Sequence, residues 1–187
     1  CWEGVLHDET HVAEPIEQPD RHGLLWRGVR LTCQPEREDL RDTVIQSSYL
    51  TVGGSNVLKV VVQIANRRAA HRKLSFSHTL AASLGGTLEE IVLVSEDVYR
   101  EPSPWSLWAG GHAWAVAHNP RTGLAMALVS TRHNVETTDQ GRLGRTLGSM
   151  KEVTLGPEAS VEYTLFVASC EALDAAVRYA CLKDYAG

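Results

Sequence analysis

Three of the five tryptophans, Trp105, Trp108 and Trp114, stand within ten residues of one another. The run Pro102-Ser103-Pro104-Trp105-Ser106-Leu107-Trp108-Ala109-Gly110-Gly111-His112 carries two prolines and two glycines, which places Trp105 and Trp108 on a loop. An indole held there offers a flat apolar face to a sugar ring or to a partner protein; its structural use would be to plug the end of a β-sandwich. His112, Trp114, Val116 and His118 alternate with Ala113, Ala115 and Ala117, so a strand here sets both histidines beside Trp114. A neutral imidazole on an apolar face needs a hydrogen-bond partner, and it can serve as acid or base. Trp105, Trp108, His112, Trp114 and His118 are therefore the candidate substrate-binding set, with His78 on another apolar strand face beside them.

Other chemistry is thinner. Glu89, Glu90, Glu96, Asp97 and Glu101 flank the tryptophan stretch without the spacing of a glycosidase pair. His7 and His11 are four apart, but no third ligand follows, and the four cysteines (Cys1, Cys33, Cys170, Cys181) show no CxxC spacing. No metal and no cofactor are expected. GxSxG, HExxH, GxGxxG and P-loop patterns are absent, so the catalytic residues are unknown and no reaction is identified. Arg67, Arg68, His71, Arg72 and Lys73 form the one basic cluster, without aromatics between them. It reads as a solvated turn or an acidic-partner site. The net charge of −5 disfavours general nucleic-acid binding, since phosphate neutralisation needs a basic face.

The elements that must position these residues are strands. At 187 residues and 43% hydrophobic, the chain suits a globular domain with a real core, and its apolar runs are far too short to span a membrane. Residues 1–21 read as an N-terminal arm or leading strand, 22–169 as a β-sandwich, and 170–187 as a C-terminal helix packed on it. Leu58, Val60, Val62 and Ile64 alternate with Lys59, Val61, Gln63 and Ala65, and Leu74, Phe76, His78 and Leu80 alternate with polar residues. These two segments are expected to be adjacent antiparallel strands. Leu25, Val29, Leu31 and Cys33 are expected inward, and Gly53-Gly54 and Asn119-Pro120-Arg121-Thr122-Gly123 are hairpin turns. Leu88 to Val94 reads as a strand, and residues 132–149 as a long irregular loop whose Arg132, His133, Arg142 and Arg145 are candidates to contact an anion or a carboxylated sugar, with nothing in the sequence to fix their geometry. Glu171 to Tyr185 reads as one helix docked through Leu173, Val177 and Cys181, with Ser169 as its N-cap. The fold class is all-β, an antiparallel sandwich with one C-terminal α-helix.

Leu58 to Asn66 with Lys73 to Leu80, the Trp114-to-Ser130 hairpin around Asn119-Pro120-Arg121-Thr122-Gly123-Leu124-Ala125, and Thr154-Leu155-Gly156-Pro157 leading to Val161 resemble the galactose mutarotase-like β-supersandwich domains of carbohydrate-active enzymes. The resemblance covers residues 57 to 168. It implies a sugar-facing sheet in a catalytic or an accessory role, but no stretch matches the family's catalytic His and Glu, so no catalytic residue is carried over. The expected function is carbohydrate-related, binding or accessory, with an oligosaccharide as partner. The alternative is a structural or protein-interaction module that packs on a companion domain or forms a homo-oligomer; the sequence opens at Cys1 without a methionine, which fits a processed or partial chain. A third reading is a sugar epimerase or lyase using His112 or His118 as base.

Overall fold

The computed structural model describes residues 9–35, 37–80, 84–95, 114–130, 135–139 and 145–181. They are mostly antiparallel β-structure of sandwich type with one short helix. Two compact units share the chain: the residues up to Ser75 together with Glu152–Thr164, and Phe76–Lys151 together with the residues from Leu165.

The first unit is built on a meander of β1 (Glu9–Pro19), β2 (Leu25–Pro35), β3 (Thr43–Thr51) and β4 (Val57–Asn66), each antiparallel to the next. The β1–β2 turn is organised by Asp20, whose carboxylate accepts from the backbone N–H of His22 (2.8 Å) and Leu24 (2.9 Å) and from Trp26 Nε1 (3.2 Å). Some desolvation works against its charge, but these hydrogen bonds outweigh it and hold the carboxyl below the usual range. The β3–β4 hairpin turns at Gly53-Gly54 as expected. Along β4, Val60, Val62 and Ile64 are buried, as the alternation requires.

Alternation in β2 gives a different result. Leu25 and Val29, expected inward, are exposed, whereas Trp26 is buried on the opposite face. Burial changes face along the strand, since Cys33 and Pro35, in register with Leu25 and Val29, are buried at its far end. Gly28 marks the crossover: a Cβ there would fall on the carbonyl of Tyr49, so only glycine lets β2 approach β3 this closely.

The expected pairing of β4 with β5 (Arg72–Leu80) is not formed. β4 lies between β3 and β11 (Ser160–Cys170), while β5 joins β10 (Arg145–Leu155) and β9 (Val135–Asp139) in a separate three-stranded sheet of order β5-β10-β9. The reason is Asn66 at the end of β4, which is fully buried. Its Nδ2 donates to the carbonyls of Ala70 and Gly156, each at 2.9 Å, its Oδ1 accepts from Arg68 N–H, and its own N–H donates to the Ala159 carbonyl. The chain is thereby folded back on itself, and the turn before β11 is fastened against the end of β4.

In the second unit the order is β11-β8-β7-β6, with β6 at Val92–Ser95, β7 at Trp114–His118 and β8 at Ala125–Ser130. The hairpin over Asn119–Gly123 forms as expected, closed by Asn119 N–H to Leu124 and Gly123 N–H to Asn119, both at 2.9 Å. Every residue of β8 is buried, and in β7 all but His118 are, so both faces of this hairpin are covered. β9 packs against β6, β7 and β8, and α1 (Leu173–Cys181) against β7 and β8. Ala176 and Val177 of the helix are buried while Asp174 and Arg178 are exposed, the orientation expected from their spacing. The helix begins after Ser169, which is the penultimate residue of β11 and not a cap. The Cys181 side chain and residues 182–187 lie outside the described set.

Residues 132–149 hold β9 and the first part of β10, paired in register from Arg145 with Asp139 to Ser149 with Val135. Their Thr and Val residues favour strands, but Gly148 and the scarcity of apolar residues besides Leu147 conceal the period. Between Leu88 and Val94, a 3-10 turn at Leu88–Glu90 precedes β6.

Candidate functional site

Trp105, Trp108 and His112 lie outside the described residues, as do Glu96, Asp97, Glu101, Arg132, His133 and Arg142. Trp114 and His118 are in β7, and the cross-strand register gives their surroundings. Trp114 shares a row with Val129 and Phe166; His118 shares one with Val92, Ala125 and Cys170. The two are on one face but four residues apart, roughly 13 Å along the strand, so they stand at its opposite ends. Trp114 is only 1% exposed and anchors the core, whereas His118 is partly exposed. Burial pushes the Cys170 thiol up, which keeps it protonated and poorly nucleophilic.

A cluster that sequence reasoning passed over sits beside that hairpin. Arg121 donates to Glu90 through Nε (2.9 Å) and Nη2 (3.1 Å), and Glu90 also accepts from Thr87 N–H and from Asn119 Nδ2, both at 3.2 Å. Asn119, fully buried, accepts the N–H groups of Arg121 and Thr122 on its Oδ1. Thr122 Oγ1 donates to the Leu84 carbonyl. Arg121 above all, then Thr87 and Asn119, hold the Glu90 carboxyl below the usual range, and Glu90 in turn raises the Arg121 guanidinium. A side chain at Gly86 would strike Glu90, Asn119 and Arg121. Its bonds are used internally, so the cluster fastens the 3-10 turn to the β7–β8 hairpin. The sequence signal was the pairing of Glu90 with a turn arginine, which only the fold brings together.

The basic cluster after β4 makes two surface ion pairs and one buried contact. Arg68 pairs with Asp42 at 3.0 Å and Lys73 with Glu152 at 2.8 Å, while Arg72 is buried and donates to Thr43 Oγ1. Arg67, Arg68, His71 and Lys73 are exposed, as a solvated turn requires, and of the five only Arg72 is buried. His11 is in the extended strand β1, which removes the helical spacing with His7, itself outside the described residues. Among the described residues, no group of three potential ligands could hold a metal ion.

Among the described residues, one face of the β1–β4 meander gathers polar side chains. Register places Glu14, Arg30, Ser48 and Val61 in one row, Thr32, Gln46 and Gln63 in the next, and Gly28, Leu50 and Lys59 in the row on the other side. Arg30 reaches Ser48 Oγ at 3.3 Å and Glu14 Oε1 at 3.4 Å; Gln46 Nε2 donates to Thr32 Oγ1 at 3.3 Å. The Lys59 ammonium lies 5.6 Å from the centroid of the Trp26 ring, a cation-π distance. Ser48 and Leu50 are buried and form the floor, while Arg30, Thr32, Gln46, Lys59 and Gln63 are partly exposed. Alternation along β4 alone sets Lys59 and Gln63 on the face opposite Val60 and Val62. Their neighbours on β2 and β3 follow only from the register.

Antiparallel sandwich-type β-structure with one short helix is here the galactose mutarotase-like fold, and solved structures share it across most of the chain. A galactose mutarotase-like protein from Clostridium acetobutylicum superposes with a TM-score of 0.58 at 9% identity, over 86% of this chain and 66% of that one. A protein from Klebsiella pneumoniae subsp. pneumoniae proposed to be an aldose 1-epimerase gives 0.54 at 8% identity, over 95% and 66%. The GH36 alpha-galactosidase AgaA from Geobacillus stearothermophilus gives 0.52 at 12% identity, over 86% and 27%. At these identities the likeness is one of fold, and the chain spans 66% of the first two proteins and about a quarter of the third. No protein-family model matches the sequence, and no curated protein sequence does.

Proposed function

We propose that this chain is a carbohydrate-binding or accessory domain. The observation that carries the reading is the fold shared over 86% or more of the chain with proteins named for galactose or aldose chemistry, one of them an alpha-galactosidase in which the matching part is 27% of the whole. In the proposed site, Trp105 and Trp108 stack on sugar rings with His112 beside them. Of the two set members in β7, Trp114 is core that supports the strand, and His118 is the one exposed enough to meet a ligand. Stacking on exposed rings is weak, so affinity for a single sugar is modest and grows with oligosaccharide length. A glycan array read by intrinsic tryptophan fluorescence tests this. Ligand-dependent fluorescence that Trp105→Ala and Trp108→Ala abolish supports the reading, and a silent array overturns it.

A specific observation favours the second reading, an interaction module. On the opposite face of the β1–β2 hairpin, Leu25 and Val29 are 38% and 43% exposed, and register sets them beside Pro19 and Pro15. This apolar strip, broken only by the Arg27–Glu17 ion pair, suits a companion domain or a second copy. Concentration-dependent association lost in Leu25→Ser/Val29→Ser, together with a silent array, selects it.

A further inference from the structure

We infer that the polar face of β2, β3 and β4 is a binding surface for an acidic oligosaccharide, one that carries carboxylates as well as hydroxyls. The inference rests on the carbohydrate reading and names the ligand class of a site distinct from the tryptophan stretch. Two cations stand on this face, Arg30 on β2 and Lys59 on β4, two strands and one row apart. That is about 12 Å between backbones, from strand spacings near 4.8 Å and a same-face repeat near 6.7 Å. Both side chains are long enough to lean over the Ser48 and Leu50 floor between them.

Neither cation is used up by the fold. Lys59 has the Trp26 ring but no carboxylate among the described residues. Arg30 has Glu14, at 3.4 Å between side chains 39% and 52% exposed, a pair that contributes little and can be exchanged for a ligand carboxylate. The Trp26 ring steadies the ammonium, and Trp26 is itself fixed through its indole N–H by Asp20. Holding the cation in place lowers the ordering cost on binding.

The neighbouring row decides the kind of anion. Thr32, Gln46 and Gln63 form a cross-strand ladder of neutral donors and acceptors about 4.8 Å apart. Among the described residues, the Gln63 side chain and the Gln46 oxygen have no hydrogen-bond partner, while Gln46 Nε2 serves Thr32. Hydroxyls satisfy such groups, and a chain of uronate sugars presents both hydroxyls and carboxylates at intervals. Nucleic acid would need more cations than two, and the net charge of −5 opposes it.

Isothermal calorimetry on the whole chain, at low and high salt, distinguishes the outcomes. The probes are an oligogalacturonate, its methyl ester, a neutral galacto-oligosaccharide and inorganic sulfate. The expected result is that oligogalacturonate binds, that the ester binds ~10-fold or more weakly, and that Lys59→Met or Arg30→Gln costs a similar factor while Lys59→Arg restores affinity. Added salt weakens the acid and leaves the ester unchanged. Equal binding of acid and ester, or no effect of Lys59→Met, overturns this inference and leaves the carbohydrate reading standing. Binding of sulfate as strong as that of oligogalacturonate reduces the face to an anion site and also overturns it. If no saccharide binds, both readings fall.

Discussion

The two units bury their strands in different ways. In the first, β4 alternates: Val60, Val62 and Ile64 are inside while Lys59, Val61 and Gln63 remain partly open. In the second, Trp114 to Ala117 and Ala125 to Ser130 are buried on both faces, where β9 and α1 pack against the hairpin. A strand covered on one side has a free face on which polar side chains accumulate and can meet a ligand. A strand covered on both sides can only support what its loops carry. Each unit also secures a strand end with a fully buried asparagine, Asn66 and Asn119. Both asparagines satisfy backbone groups of their own turn, but Asn66 also fastens the β11 turn, whereas Asn119 recruits the Glu90–Arg121 ion pair.

The comparison breaks most visibly at Trp114. If the hairpin is core on both faces, Trp114→Ala costs about 3–5 kcal/mol in urea unfolding. A loss below 1 kcal/mol would mean that the ring is not packed. Val62→Ala, on the closed face of β4, costs about 1–3 kcal/mol, and Val61→Ala, on its open face, roughly 0.5 kcal/mol or less. Equal losses would erase the distinction between the faces.

Acid titration sharpens the account of the second unit. The folded Glu90 carboxyl lies below its ordinary value, so its stabilisation is complete above the ordinary carboxylate range and is lost as pH falls through the folded value. Glu90→Gln removes that part of the acid limb in a plot of melting midpoint against pH; an unchanged limb refutes the coupling to Arg121. The smallest effect is expected at the Arg27–Glu17 pair, with side chains 69% and 60% exposed: Arg27→Ala shifts stability by no more than about 0.5 kcal/mol.

β4 was legible from the alternation of its two faces, and the β7–β8 hairpin from its Asn119–Gly123 turn. The failures share a cause, which is that pairing is not local. Nothing within residues 58–80 reveals that Asn66 bonds to Gly156, 90 residues away, and so sends β5 into another sheet. Trp26 and Leu25 are both apolar, and which of them is inside depends on Gly28 meeting Tyr49 on the next strand. Gly148 disguised β10, because a glycine in a strand resembles a turn. The tryptophan stretch was conspicuous by composition, whereas Arg30, Ser48, Lys59 and Gln63 are ordinary surface residues until register collects them.

Backbone amide and indole shift mapping by NMR, with an oligosaccharide titrated into the whole chain, tests the central claim most directly. The expected result is that the Trp105 and Trp108 indoles move with neutral oligosaccharides and that Arg30, Ser48, Lys59 and Gln63 move with oligogalacturonate, while Ala115 to Ala117 and Ala125 to Ala127 stay still. Shifts confined to Leu25, Val29 and their neighbours, dependent on protein concentration and indifferent to every sugar, would contradict it.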